Sequence, residues 1–396
     1  MRRFTALVFG TLALWALYDG SVSADGRTDV AITPFENSPH GPIVMVRLEA
    51  KKPGAPALEL RFMLDTGAGM NVLDVSIPAD YFWDDAKGSS AATLTVTDAT
   101  QQQLQAPLVY LKRIEIGGIT RDDQAAIRMD LKRTWPGIGE DEPIDGVLGM
   151  SFLRGTSFLI DPNTREIRWW QTLDGHRVPL GYDSSGSPVM IAKLSNSHVP
   201  FMLDSGSSFG FQAPGQVDPS EPSETVHFVG ALGSVSEARV IKADRIEAGD
   251  RAWINEPVVV VKPGEGNPVV GRKILLAGLM GLDFVHDAVT FQLDANGNLP
   301  SLSPSAATPK DGLSLAWDRS GAEPRLTVGP IGPNDPMAAA GLKQGDMLVR
   351  VGSLQGKDLT IGAVTSLVDQ GKPLSWVVQR NGKQLRLRFP FGAGLP

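Results

Sequence analysis

Apolar and polar positions along this chain follow the two-residue period of a strand far more often than the period of a helix. Ile43–Leu48 and Val189–Ala192 are β-rich runs, Thr93–Thr97 alternates, and Val258–Val261 is continuously apolar, as suits a buried strand. Ser157–Asp161 and Val289–Asp294 read as equivalent late strands, each ending in a turn (Asp161-Pro162-Asn163 and Asp294-Ala295-Asn296). Long helical periodicity is scarce. A short run of small residues from Pro336 closes at Gly341, a residue suited to the position after a helix, and Gly345-Asp346 then turns into a strand over Met347–Val351. The apolar run Ala6–Tyr18 is of another kind. It follows Arg2-Arg3 and precedes the small residues Val22-Ser23-Ala24, the pattern of a secretory signal cleaved after Ala24. At less than the ~20 residues needed to span a bilayer, it is too short for an anchor. The mature protein is therefore expected to be secreted or periplasmic, with no membrane attachment after signal removal.

A repeat organises the middle of the chain. Phe62-Met63-Leu64-Asp65-Thr66-Gly67 returns as Phe201-Met202-Leu203-Asp204-Ser205-Gly206, and these hold the only two D-[ST]-G triplets. Arg113-Ile114-Glu115-Ile116-Gly117 returns as Arg245-Ile246-Glu247-Ala248-Gly249. Val147-Leu148-Gly149-Met150-Ser151-Phe152-Leu153 is echoed by Leu279-Met280-Gly281-Leu282-Asp283-Phe284-Val285, and Arg113 to Gly149 spans the same interval as Arg245 to Gly281. The pattern predicts a signal over 1–24, duplicated β lobes over 25–172 and 173–300, a Ser/Pro/Ala-rich linker over 301–311 and a small α+β domain over 312–396.

Composition narrows the chemistry. The chain has 396 residues, 42% apolar and 20% charged, which argues against disorder. A net charge of -7 makes a nucleic-acid partner unexpected. With no cysteine, disulfides, thiolate metal sites and thiol nucleophiles are excluded, and the five histidines show no metal-ligand spacing, so no metal or other cofactor is expected. An exported chain without cysteine fits a bacterial periplasm.

What remains is a pair of carboxylates. In each copy an apolar strand delivers an Asp into a Ser/Thr-Gly turn. The apolar residues desolvate the acid, the glycine allows close backbone approach, and the hydroxyl can brace the turn. Two such turns could bring Asp65 and Asp204 face to face, where one proton is shared. The ionised acid can then act as general base on a water while the protonated one polarises a peptide carbonyl.

These paired turns, each with a downstream apolar-apolar-Gly segment, resemble the aspartic proteases of pepsin and retropepsin type, and more closely the bacterial proteins with retropepsin-like lobes. The resemblance implies a mainly β, bilobal, pseudo-twofold endopeptidase acting as a monomer on a polypeptide substrate. It makes Asp65 and Asp204 the catalytic acids, Thr66-Gly67 and Ser205-Gly206 their turns, and Gly149 and Gly281 the supporting glycines. Gly88–Thr100 and Gly230–Gly233 are the expected flap segments, without a clear flap tyrosine. Ala68, where the second lobe has Ser207, removes a hydroxyl that could stabilise the charged acid, so a mildly acidic optimum is expected. Two other readings stand beside this one: a catalytically inactive peptide-binding or adaptor protein using the same cleft, and a serine hydrolase centred on Ser208 in Gly206-Ser207-Ser208-Phe209-Gly210.

The C-terminal segment Pro336–Gly352 resembles the core of PDZ domains, in the permuted order found on bacterial periplasmic proteases. That resemblance makes Gly312, Leu313, Ser314 and Leu315 the peptide-carboxylate loop and its strand, with Ile361–Val368 as the helix lining a groove for a peptide C-terminus.

Overall fold

The computed structural model describes residues 31–38, 41–83, 92–98, 102–131, 144–215, 223–229, 235–264, 266–301, 315–318, 325–328, 336–359, 364, 367 and 374–389. The expected signal, the second flap segment, most of the linker and Gly312, Leu313 and Ser314 lie outside them.

The fold is mainly β and its two large lobes share one connectivity. In the first lobe a nine-stranded sheet runs Glu36–Ser38, Gly41–Leu48, Leu58–Leu64, Gly146–Leu148, Asn71–Asp74, Ile119–Met129, Gln103–Ile116, Phe82–Trp83, with Thr93–Thr97 paired to Gln103–Ile116 off that path. The second lobe repeats the scheme in Pro188–Leu194, Ser197–Asp204, Val269–Gly271, Phe211–Pro214, Arg251–Val261, Val235–Ala248 and Glu224–Val229. Both lobes contain the same unusual element, a pair of parallel contacts within an otherwise antiparallel sheet. Leu58–Leu64 runs parallel to Gly146–Leu148, and Asn71–Asp74 parallel to Ile119–Met129. Ser197–Asp204 runs parallel to Val269–Gly271, and Phe211–Pro214 parallel to Arg251–Val261. Parallel pairs need a long connection, and here the long hairpin of each lobe supplies it.

The lobes are joined by strands, not by a loose hinge. The hairpin Ser157–Asp161/Glu166–Trp169 of the first lobe pairs with the hairpin Met280–Asp283/Ala288–Phe291 of the second, through Leu159 opposite Gly281. Ser157–Asp161 is therefore the counterpart of Met280–Asp283, not of Val289–Asp294 as the turn signals suggest. One apolar core runs through both lobes. Edge-to-face aromatic contacts extend it across the junction at Phe158–Phe284 (5.9 Å) and through the second lobe at Phe201–Phe211 (5.9 Å) and Phe211–Trp253 (5.2 Å). Arg113 and Arg245 form ion pairs within their own lobes, with Asp122 and Glu247.

The C-terminal module is a six-stranded sheet with a core of its own, centred on Leu348, Val351, Trp376 and Val378. The helix Pro336–Ala339 is followed by Gly341 at φ +96°, the left-handed conformation that ends a helix. Among the described strands, Leu315–Asp318 forms one edge of this sheet. No helix among the described residues is long and apolar enough to cross a membrane.

Candidate active site

Asp65 follows the end of Leu58–Leu64 and Asp204 ends Ser197–Asp204, so each acid sits where a buried strand breaks into a turn. Phe62, Met63, Leu64, Phe201 and Leu203 lie in the core and carry the acids inward with them; Asp65 itself is only 7% exposed. The two turns interlock through reciprocal hydrogen bonds. Thr66 Oγ1 donates to Leu203 O (2.7 Å) and accepts the Ser205 N–H (3.1 Å). Ser205 Oγ donates to Leu64 O (2.9 Å) and accepts the Thr66 N–H (3.1 Å). All four bonds are buried, and each reaches from one lobe into the other.

That interlock sets the acids side by side, each over the glycine of the opposite turn. A Cβ on Gly67 would lie 2.5 Å from the Asp204 Cγ, and one on Gly206 would lie 2.7 Å from Asp65 Oδ2. Only a glycine leaves room for the facing carboxyl at this approach. The Gly67 N–H donates to Asp65 Oδ1 (2.8 Å); the Gly206 and Ser207 N–H groups both donate to Asp204 Oδ1 (2.9 Å each). Each carboxyl thus faces the other across the two turn glycines. Burial, then the facing Asp204 charge and its hydrogen bond, hold Asp65 well above the usual carboxylate range. Burial also raises Asp204, against the hydrogen bond from Asp65, the Ser207 and Gly206 N–H groups and the Arg272 charge. Carboxyls that face each other this closely resist double ionisation, the arrangement in which one proton is shared.

The first lobe's support stands where the sequence puts it. Leu148 O accepts the Asp65 N–H (3.0 Å), Ala68 O accepts the Met150 N–H (2.8 Å), and Asn71 Oδ1 accepts the Gly149 N–H (3.0 Å). The second lobe requires a correction. Gly281 lies in the strand Met280–Asp283, opposite Leu159 and Thr290 in the sheet between the lobes, and not beside the Asp204 turn. The place beside that turn belongs to Val269-Val270-Gly271. Val269–Gly271 runs parallel to the acid strand, the Gly271 N–H donates to Gly210 O (2.7 Å), and the Arg272 N–H donates to Ser207 O (3.1 Å). A Cβ on Gly149 would meet Met70 O at 2.3 Å, and one on Gly271 would meet Phe209 O at the same distance. A better echo was present in the sequence. Gly149-Met150-Ser151-Phe152-Leu153 and Gly271-Arg272-Lys273-Ile274-Leu275 share a Gly-x-x-apolar-Leu pattern. Each continues into a one-turn helix, and Phe152, Leu153, Ile274 and Leu275 are all buried.

Other residues sequence reasoning missed include Ser187, whose hydroxyl donates to Gly67 O (2.9 Å) from a turn held by Asp183. Part of the first flap segment, Thr93–Thr97, forms a hairpin with the start of Gln103–Ile116; Leu94, Val96 and Leu104 pack against the same satellite cluster as Ala68 and Met70 of the acid turn. In the second lobe, Glu224–Val229 pairs with Val235–Ala248. Ala238 and Val240 of that hairpin belong to a cluster against which Phe209 packs. Ser208 sits exposed in the acid turn between two strands, a strand–turn–strand setting unlike a nucleophile elbow. Leu315 begins the edge strand of the C-terminal module. No group of three or more metal-ligating side chains occurs among the described residues.

Residues 51–152 match the family model for aspartyl proteases. Among solved structures the chain is similar to basic 7S globulin from soybean, at TM-score 0.43 and 12% identity over 67% of this chain and 96% of that one. It is similar also to aspartic proteinase from Irpex lacteus, at TM-score 0.42 and 10% identity over 71% of this chain and 100% of that one. No curated protein matches the chain. The stretch that bears the aspartyl-protease pattern thus contains the first acid turn, Asp65-Thr66-Gly67, together with Gly149, the glycine that supports it.

Proposed function

We propose that this chain is an exported, monomeric aspartic endopeptidase whose Asp65–Asp204 dyad activates a water against a peptide bond. The observation that carries the reading is the interlock of Thr66 and Ser205, which sets one carboxyl from each lobe against the glycine of the opposite turn, Asp65 facing Asp204. The ionised carboxylate takes a proton from the water, whose oxygen bonds to the carbonyl carbon; the protonated carboxyl gives its proton to the carbonyl oxygen. Collapse of the gem-diol then breaks the C–N bond, with one carboxyl protonating the departing amine and the other recovering the diol proton. The aspartyl-protease match over 51–152 supports the same reading.

In this proposal the C-terminal module is a PDZ domain, supported by Leu315–Asp318, an edge among the described strands of its sheet and the kind of edge to which a peptide strand adds. Tethering there would raise the effective concentration of substrate at the dyad. Purified protein should cut peptides from a mixed library between pH 3 and 8, and Asp65→Asn and Asp204→Asn should each abolish cleavage while Ser208→Ala is tolerated. With Ala68 beside the dyad in place of a hydroxyl, the pH–rate profile should peak in the mildly acidic range; a maximum near pH 2–3 contradicts that part. Peptide binding without cleavage at any pH would favour a non-catalytic adaptor.

A further inference from the structure

The two halves of the dyad are not equivalent, and one difference lies directly behind the acid turns. Met150 and Arg272 hold matching places behind the acid turns, their N–H groups donating to Ala68 O (2.8 Å) and Ser207 O (3.1 Å). Met150, buried, holds that place in the first lobe, and in the second Arg272 sets a guanidinium against the turn that carries Asp204. Arg272 Nη1 reaches Gly206 O at 3.5 Å, against the turn that carries Asp204, and its charge is felt there. Burial pushes the Arg272 guanidinium down to about 10, with Asp204 drawing it back up, so it stays protonated at every pH at which the dyad titrates. In a partly buried site a neighbouring cation acts on a carboxylate more strongly than it would in water.

We propose that Arg272 gives the dyad its direction: it keeps Asp204 ionised as the general base and leaves the shared proton on Asp65, the general acid. The assignment rests on the peptidase reading above and deepens it. Arg272 is a positioning residue, since it acts through Asp204. Asp204 takes the proton from water as the new C–O bond forms, and Asp65 gives its proton to the carbonyl oxygen. Asp204 next protonates the amine as the C–N bond breaks, and Asp65 is reprotonated from the gem-diol. Burial raises both acids, and at Asp204 the Arg272 charge works against it. The other ionisable groups near the pair are Lys273, next to Arg272, and Asp183, whose turn reaches Gly67 through Ser187. Lys193 and His198 stand opposite one another at the far end of the acid strand's hairpin.

The test reads the carboxyls directly, by carbon-13 carboxyl NMR titration of the full chain labelled in aspartate, with Asp65 and Asp204 assigned from their Asn variants. Asp204 should titrate at lower pH than Asp65. Arg272→Met, the side chain the first lobe has there, should move the Asp204 midpoint up by about one pH unit, and Arg272→Lys should restore most of the shift. Asp65 titrating first in the parent chain overturns the proposal, as does an Asp204 midpoint unmoved in Arg272→Met. If circular dichroism shows that the Met variant does not fold, Arg272→Gln and the titration order of the parent chain decide instead. A chain that titrates in the expected order but cleaves nothing defeats the peptidase reading and leaves the electrostatic assignment standing. A chain that cleaves but titrates in the reverse order defeats the assignment alone.

Discussion

The lobe interlock makes a sharp prediction at Thr66. Thr66→Val keeps the shape of a fully buried side chain and deletes one hydroxyl. That hydroxyl serves two backbone groups of the other lobe, Leu203 O at 2.7 Å and the Ser205 N–H at 3.1 Å. Both lie in the buried seam, so deletion leaves two unsatisfied groups. At ~1–3 kcal/mol for each buried group left without a partner, the cost is about 2–6 kcal/mol. For a folding unit of this size each kcal/mol corresponds to ~2–4 °C, so the melting temperature of the lobes should fall by about 5 °C or more. Scanning calorimetry on the full chain is the assay, because the C-terminal module has its own core and can melt separately. Ser205→Ala orphans Leu64 O and the Thr66 N–H in the same way, and should cost a similar amount. Thr66→Ser, which keeps the hydroxyl, should recover most of the loss. A shift below about 1 °C in both Thr66→Val and Ser205→Ala would refute the argument that these bonds hold the lobes in register.

Other outcomes follow from the same geometry. Burial and the facing charge raise Asp65, so the folded state binds more protons than the unfolded one and the dyad destabilises the fold as pH rises above the ordinary carboxylate range. Asp65→Asn should therefore melt higher than the parent at pH 7, with the gap closing near pH 3; a gap that does not change with pH contradicts this. Gly271→Ala drives a methyl to 2.3 Å from the Phe209 carbonyl oxygen, whereas the nearest atoms to a Gly281→Ala methyl are Leu173 and Leu159 side-chain carbons at 3.1 and 3.2 Å. Gly271→Ala should thus destabilise far more in the same calorimetric scan, and equal losses would count against Gly271 as the second support. In the C-terminal module, Arg380 donates to both oxygens of the buried Asp346 (2.6 Å each) and to Gly341 O (2.7 Å). Arg380→Met should cost about 1.5–3 kcal/mol of module stability, as hydrogen bonds to charged groups do, read from urea unfolding through the buried Trp376. Burial works to raise Asp346, but its hydrogen bonds to Arg380 and to the Lys343 N–H hold it below the usual carboxylate range. The pair's contribution is present above the unfolded carboxylate range and lost as pH falls through the lowered value of Asp346, so the gap between Arg380→Met and parent should shrink in acid.

The parts whose geometry is local are legible from residue types. An apolar run ending in Asp-Thr-Gly or Asp-Ser-Gly specifies a buried strand that breaks at an acid, because residue type dictates both burial and turn formation over a few residues. Two such runs sufficed to name Asp65 and Asp204 as a pair, and alternation marked the lobes as β. Which segment stands behind the second acid is settled by strand pairing. Leu279-Met280-Gly281 and Val269-Val270-Gly271 satisfy the same three-residue pattern, and equal spacing favoured the former. The parallel contact that chooses between them joins Asp204 to Gly271 across a long connection, and its register is fixed by which faces reach the common core. The asymmetry of the dyad was hidden for the same reason. Arg272 is an ordinary surface-type residue in the sequence, and becomes a neighbour of Asp204 only once Val269–Gly271 has paired beside the acid strand.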